Sequence, residues 1–301
     1  MMFANDGVPG RQTPYDVPIS RRLSDEEERL KTHPSVARCI LGAATERAIS
    51  VLSPLILLAL WELCARAHVI DTRFFPAPSS VFVVLGEMLR SGELLAHLGI
   101  SLQRIAIGFL IGALPGVVVG IFIGLVPIVR TVLQPVVDAT FPIPKVALLP
   151  LFLLIFGIGE ASKYAVIATA VFYLVLIDTV AGVRNIDRIY LDVGRNFHAS
   201  SLMMFADIAV PGALPHIVAG MKLGVGVSLI AIVTAEFVGA KSGIGYLIWT
   251  SWQVFQVEKM YVGLVVIAMV GFASAIVVAA LERVLVPWKQ AQQGVELGWF
   301  C

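Results

Sequence analysis

The sequence predicts an all-α integral membrane protein with six transmembrane helices and a structured loop on the cytosolic side between the fourth and the fifth. Three observations predict it. Of 301 residues, 58% are hydrophobic and 14% charged, against about 25% charged in ordinary soluble domains, and the mean hydropathy is +0.87. Six segments, near 49–68, 102–126, 132–157, 163–182, 214–238 and 261–286, approach or exceed the roughly 20 apolar residues needed to cross about 30 Å of hydrocarbon. The charge is also segregated, with seven basic and seven acidic residues in 1–47 alone.

Taken in order, residues 1–47 read as a cytosolic N-terminal tail. They are polar and charged, with no basic stretch followed by an apolar core, so the later apolar segments are expected to drive insertion. Residues 48–290 form the membrane domain and 291–301 a cytosolic C-terminal tail. The spans are helical because hydrocarbon satisfies no backbone polar groups from outside. After the first span, Phe75-Pro76-Ala77-Pro78-Ser79-Ser80 is a turn with a helix start. Val81 to Leu98 then reads as one amphipathic surface helix, at rest on the lipid interface or docked on a partner.

The second span carries Gly108, Gly112, Gly116, Gly120 and Gly124. A repeat of four places them along one slowly drifting stripe, which another helix can approach closely, within the chain or across a dimer seam. Gly220, Gly224 and Gly226 suggest the same in the fifth span. The third span contains Pro135, Pro142, Pro144 and Pro150. It is therefore either a broken span or a short helix before a shorter one.

Ionisable groups within spans are costly and mark candidate pathways. Asp178 in the fourth span and Glu236 near the end of the fifth are the clearest candidates for a translocation path or gate. The alternative for each is a hydrogen bond to a neighbouring helix. Glu62 and Lys222 lie nearer the interfaces, where long side chains reach water. No fixed anion site is evident among the few basic residues of the spans. Counting Lys and Arg with both termini inside puts 15 on the cytosolic side and 7 outside, or 8 against 7 without the tail, which favours cytoplasmic termini.

Several chemistries are not expected. Gly239-Ala240-Lys241-Ser242 resembles the end of a phosphate loop, but Ala precedes the lysine and no strand precedes the segment. Cys39, Cys64 and Cys301 are far apart, and the five histidines are scattered, so neither a metal site nor a catalytic centre is expected. A net charge of +1 gives no field for nucleic acid.

The loop from Gly182 to Pro211 reads as two short helices, with Ser200 capping the second after a break near His198 and Ala199, and Pro211 closing the unit. Its Val193, Phe197, Leu202, Met203 and Phe205 are unfavourable on a cytosolic loop unless they pack on the membrane domain or enter a partner's groove. The segment resembles the Glu-Ala-Ala loop of ATP-binding-cassette importer permeases. Asp192, Val193 and Gly194 stand at the first three positions, His198 and Ala199 at the break where the family has glycine at the first, and Ile208 and Pro211 at the closing Ile-x-x-Pro. Further stretches resemble the nitrate, sulfonate, taurine and bicarbonate branch of that family: Phe74 to Ser79, Pro142 to Leu151, Phe156 to Glu160, Ala181 to Arg184, Pro211 to Pro215 and Ser242 to Leu247.

The resemblance implies a non-catalytic permease subunit, paired as a homodimer in the bacterial inner membrane and surrounded by lipid. Two cytosolic ATPase subunits would hold the ATP and Mg, an extracytoplasmic binding protein would deliver a small anionic solute, and this chain would hold no cofactor. The first helix of the loop would be the coupling helix seated on the ATPase. An ion-gradient-driven secondary transporter is the competing reading; it has no evident use for the amphipathic loop and commonly shows inverted repeats, which are not evident here.

Overall fold

The computed structural model describes residues 36–200 and 203–287, all helix and connecting loop with no strand among them. The chain divides into a unit of residues 1–56 with 293–301 and a unit of residues 57–292. In the first unit the described residues are helical. All packing reported below lies within the second. The N-terminal tail up to residue 35 and the C-terminal tail of 291–301 lie outside the described residues.

Helix α1, Val36–Arg66, carries the first predicted span. Helix α2, Pro78–Ser91, begins with proline in its first turn, where no N–H is missed, and ends at Gly92 with φ +77°. Helix α3, Glu93–Leu125, starts directly after that glycine. The expected single helix over 81–98 is therefore two helices. The apolar spacing ran through the junction, but the left-handed glycine turns the chain there. Nor does the α2 face simply rest at an interface: Val81 and Met88 are buried with Leu94, Ile244, Leu247, Ile248, Val262 and Val266.

The third predicted span is two arms. Helix α4, Pro127–Thr140, meets the segment Lys145–Phe156 at 88°. That segment is a 3-10 turn, Lys145–Leu148, running into helix α5, Leu149–Phe156. Pro142 and Pro144 lie in the break, where their missing N–H groups and fixed φ prevent one helix from continuing. Helix α6, Glu160–Arg184, then enters the centre of the domain. Its most apolar window is 61% buried, against 6% for helix α10, Val257–Leu285, so α6 is the core and α10 faces outward. Among the described residues four helices are long and apolar enough to span, or five if the bent pair counts as one; α1 has side chains outside those described.

Helix α7, Arg188–Asn196, follows α6 in the loop. A wide π-helical turn, Met204–Ala209, then runs without a break into helix α8, Val210–Phe237. Pro211 does not close the loop as the sequence suggested. It sits in the first turn of α8 just after the widened turn, and helices tolerate a residue with no N–H to give where the ladder is already interrupted. Helix α9, Ile244–Gln253, links α8 to α10.

The five glycines of α3 are buried and face α6. A Cβ at Gly108 would meet Ile167; the later ones would meet Ala168, Phe172 with Val175, Thr179 with Leu176, and Val183 in turn. At Gly112 the obstacle is backbone, with Ala168 Cα at 2.9 Å. Gly112→Ala is therefore expected to lower stability by about 1–3 kcal/mol, the cost of overpacking a site that cannot yield. Gly226 of α8 has nothing within 4 Å of such a Cβ, and Gly226→Ala should be neutral or slightly stabilising. Melting of the two variants in detergent checks the contrast; equal midpoints would show that α3 and α6 do not meet there.

Candidate functional site

Two clusters stand out, one on the loop between α6 and α8 and one at the far end of α8. On the loop, α7 and the residue that follows it show a stripe of Ile189, Val193 and Phe197, 66%, 48% and 82% exposed, with exposed Tyr190 beside it. The four-residue spacing puts these side chains on one face. The opposite side is fixed by Gly194, which is buried where any Cβ would overlap Met204 and reach Ile208. A small residue at 194 thus lets α7 lie on the first turns of the helix that becomes α8. Phe205 joins the cluster of Ile121, Val183, Ala213 and Ile217. Leu202 lies outside the described residues, and Asp192 is exposed.

The chain turns at His198, whose φ is +52°. Ala199 N–H donates to Gly194 O at 2.9 Å, closing α7. Ser200 caps the next turn, its Oγ accepting from Met203 N–H at 3.3 Å. A left-handed histidine costs about 1–2 kcal/mol relative to glycine's freedom. His198→Gly should therefore keep the loop folded, whereas β-branched His198→Val should disrupt it. Limited proteolysis of the loop checks both; faster cutting in His198→Gly than in the parent chain would refute the assignment.

The second cluster surrounds Arg104. This residue is 3% exposed in α3, and its guanidinium donates through Nε and Nη2 to both oxygens of Glu160, each at 2.6 Å. Its Nη1 donates to Glu236 Oε1 at 2.8 Å and to Ser242 O at 2.6 Å. Glu236 is fully buried and also accepts from Ser101 Oγ at 2.8 Å and from Gly245 N–H at 2.8 Å. Lys163 Nζ lies 3.4 Å from Glu160 Oε1. Two cations face two carboxylates, and the set is neutral.

Three helices and the α8–α9 turn converge there. Gly243, at φ +116°, has no room for a Cβ because Glu236 fills the space. Its N–H donates to His97 Nδ1 at 3.1 Å, and Ile244 N–H donates to Ser101 Oγ at 2.8 Å. The donors that open α9 are thereby met by side chains of α3. Charge-assisted contacts of this density make a rigid junction.

Asp178 is not part of it. It lies half-buried on α6 opposite Gly220 of α8, in electrostatic contact with His216. Gly220 and Glu236 are separated by about 24 Å along α8 at 1.5 Å per residue. The two candidate path residues therefore mark different levels of the domain. Arg104, Glu160, Lys163, Ser101 and Ser242 escaped the sequence reading. One signal was available, since Arg104 falls inside the predicted span 102–126, where a cation calls for a named partner.

Comparison with known proteins fits this architecture. Residues 116–290 match the family described as binding-protein-dependent transport system inner membrane component. The chain belongs to that family. It is 34% identical over 244 residues, 81% of this chain and 88% of the relative, to a Bacillus subtilis (strain 168) protein named as an aliphatic sulfonates transport permease. It is 33% identical to the taurine transport system permease protein of Escherichia coli (strain K12), over 77% of this chain and 86% of that one. The fold matches a chain of an inward-facing methionine ABC transporter with TM-score 0.58 at 17% identity, covering 64% of this chain and 95% of the other. The protein is thus a transport permease of the ABC class, an integral inner-membrane component.

Proposed function

We propose that this permease forms the translocation path of an ATP-driven importer for a small anionic solute, a sulfonate, taurine, nitrate or a relative, with α7 as the seat of the ATPase. The observation that carries this reading is the α7 stripe. Ile189, Val193 and Phe197 are exposed on one face while Gly194 and Ile208 hold the other to the membrane domain. An exposed apolar stripe on a short helix, rigidly backed, is the form a partner's groove receives. The names of the sulfonate and taurine relatives supply the solute class.

In this reading two copies of the chain pair in the inner membrane with both termini in the cytoplasm. ATP and Mg are held by the cytosolic partners, an extracytoplasmic binding protein delivers solute, and this chain hydrolyses nothing. Closure of the ATPase pair shifts α7, and the membrane domain moves between two packings. Purification of the chain from its own cell in mild detergent tests the reading. Recovery of an ATPase subunit at equal stoichiometry, with ATP hydrolysis and ATP-dependent solute uptake after reconstitution, is the expected result. A chain that is stable alone and takes up solute with an ion gradient in place of ATP would overturn it.

A further inference from the structure

We propose that Lys145, at the break in the third span, is the counter-cation for the transported anion; this deepens the importer reading above and rests on it. Lys145 follows Pro142 and Pro144, where the arms Pro127–Thr140 and Lys145–Phe156 meet at 88°. A break frees backbone carbonyls, and irregular backbone at membrane depth survives only inside protein or beside a water-filled cavity. Phe141 and Ile143 are 43% and 44% exposed, and Pro142 and Pro144 are exposed with them. That face is left uncovered within the chain and is open to a second copy or a wet path.

The ammonium answers two of the freed carbonyls, donating to Thr140 O at 2.7 Å and Phe141 O at 3.2 Å. It lies 3.8 Å from the ring centroid of Tyr173 on α6. That ring is itself pinned, its hydroxyl donating to Thr140 Oγ1 at 2.8 Å. The cation is therefore held in place from the α6 side. No Asp or Glu among the described residues pairs with it. Arg104 and Lys163, also in apolar helices, both stand beside carboxylates. Carbonyl dipoles and a π face neutralise a charge only in part, and an uncompensated charge within a span marks a ligand path.

A monovalent oxyanion supplies the missing charge. Its oxygens accept from the ammonium while Phe141 and Ile143 meet an attached alkyl group. The site thus favours sulfonates and nitrate over uncharged solutes of equal size.

The test uses the assembled importer in proteoliposomes, with ATP-driven uptake of radiolabelled taurine, ethanesulfonate and nitrate as the readout. Lys145→Gln is expected to lower uptake of whichever anion the wild type carries by about tenfold or more, the scale of one lost charge-assisted contact, while complex assembly and ATP hydrolysis persist. Lys145→Arg should retain most of the uptake. Should Gln disturb assembly, Lys145→Cys provides the control: a thiol reagent adding an aminoethyl group restores the charge, and one adding a methyl group does not. Uptake restored only by the charged group supports the proposal. Equal uptake with both groups, or wild-type uptake in Lys145→Gln, overturns it and leaves the importer reading intact. A wild-type complex that imports none of the three anions with ATP overturns the anion reading and this proposal together.

Discussion

Arg104→Met is expected to be the most damaging single substitution in the domain. The change removes the guanidinium that joins Glu160, Glu236 and Ser242 O and leaves the fully buried Glu236 carboxyl without its cation. Breaking a buried pair from one side costs about 3–5 kcal/mol, because the surviving charge has lost its counter-charge. Glu236→Gln should cost less, since Gln keeps the shape and Arg104 retains both oxygens of Glu160. Thermal unfolding in detergent, followed by size-exclusion recovery, orders the variants: wild type, then Glu236→Gln, then Arg104→Met. The idea fails if Arg104→Met melts with the wild type.

Phe197→Asp should do the opposite, sparing the fold and abolishing function. The side chain is 82% exposed, so the membrane domain scarcely registers the change. A carboxylate facing a partner's apolar groove must be desolvated, and losing a central aromatic anchor commonly costs about 2 kcal/mol or more of binding. That corresponds to about 30-fold weaker capture of the ATPase. Co-purification of the ATPase from cells expressing the variant, set beside an unchanged melting midpoint, checks both halves. Undiminished capture would move the docking surface off α7.

Local features were the ones legible in the sequence. The glycine repeat of α3 is a spacing, and spacing determines a face whatever lies opposite. The prolines at 142 and 144 announced a break because they act on their own backbone. His198 could be placed at a turn by its position in a motif, and its left-handed φ of +52° agrees with the glycine that the family has there. What a spacing cannot say is which charge meets which. Arg104 and Glu160 are 56 residues apart and Arg104 and Glu236 are 132 apart, so counting charges by side of the membrane set Arg104 among the loop ends. The same count says nothing of the partners of Lys145, which are the carbonyls of Thr140 and Phe141 and the ring of Tyr173. Gly92 was missed because apolar periodicity passed through it unchanged; only its φ of +77° reveals the corner.

The uninterrupted helix from Met204 to Phe237 has a mechanical meaning. Its 34 residues reach about 50 Å at 1.5 Å per residue, longer than the roughly 30 Å of hydrocarbon it has to cross. One end carries Ile208 beneath Gly194 and the other carries Glu236 in the grip of Arg104. On the importer reading proposed above, a displacement applied at α7 would reach the opposite end through a single connecting rod. The π-helical turn at 204–209 is itself the end of that rod on which α7 lies, since Met204 and Ile208 both meet Gly194.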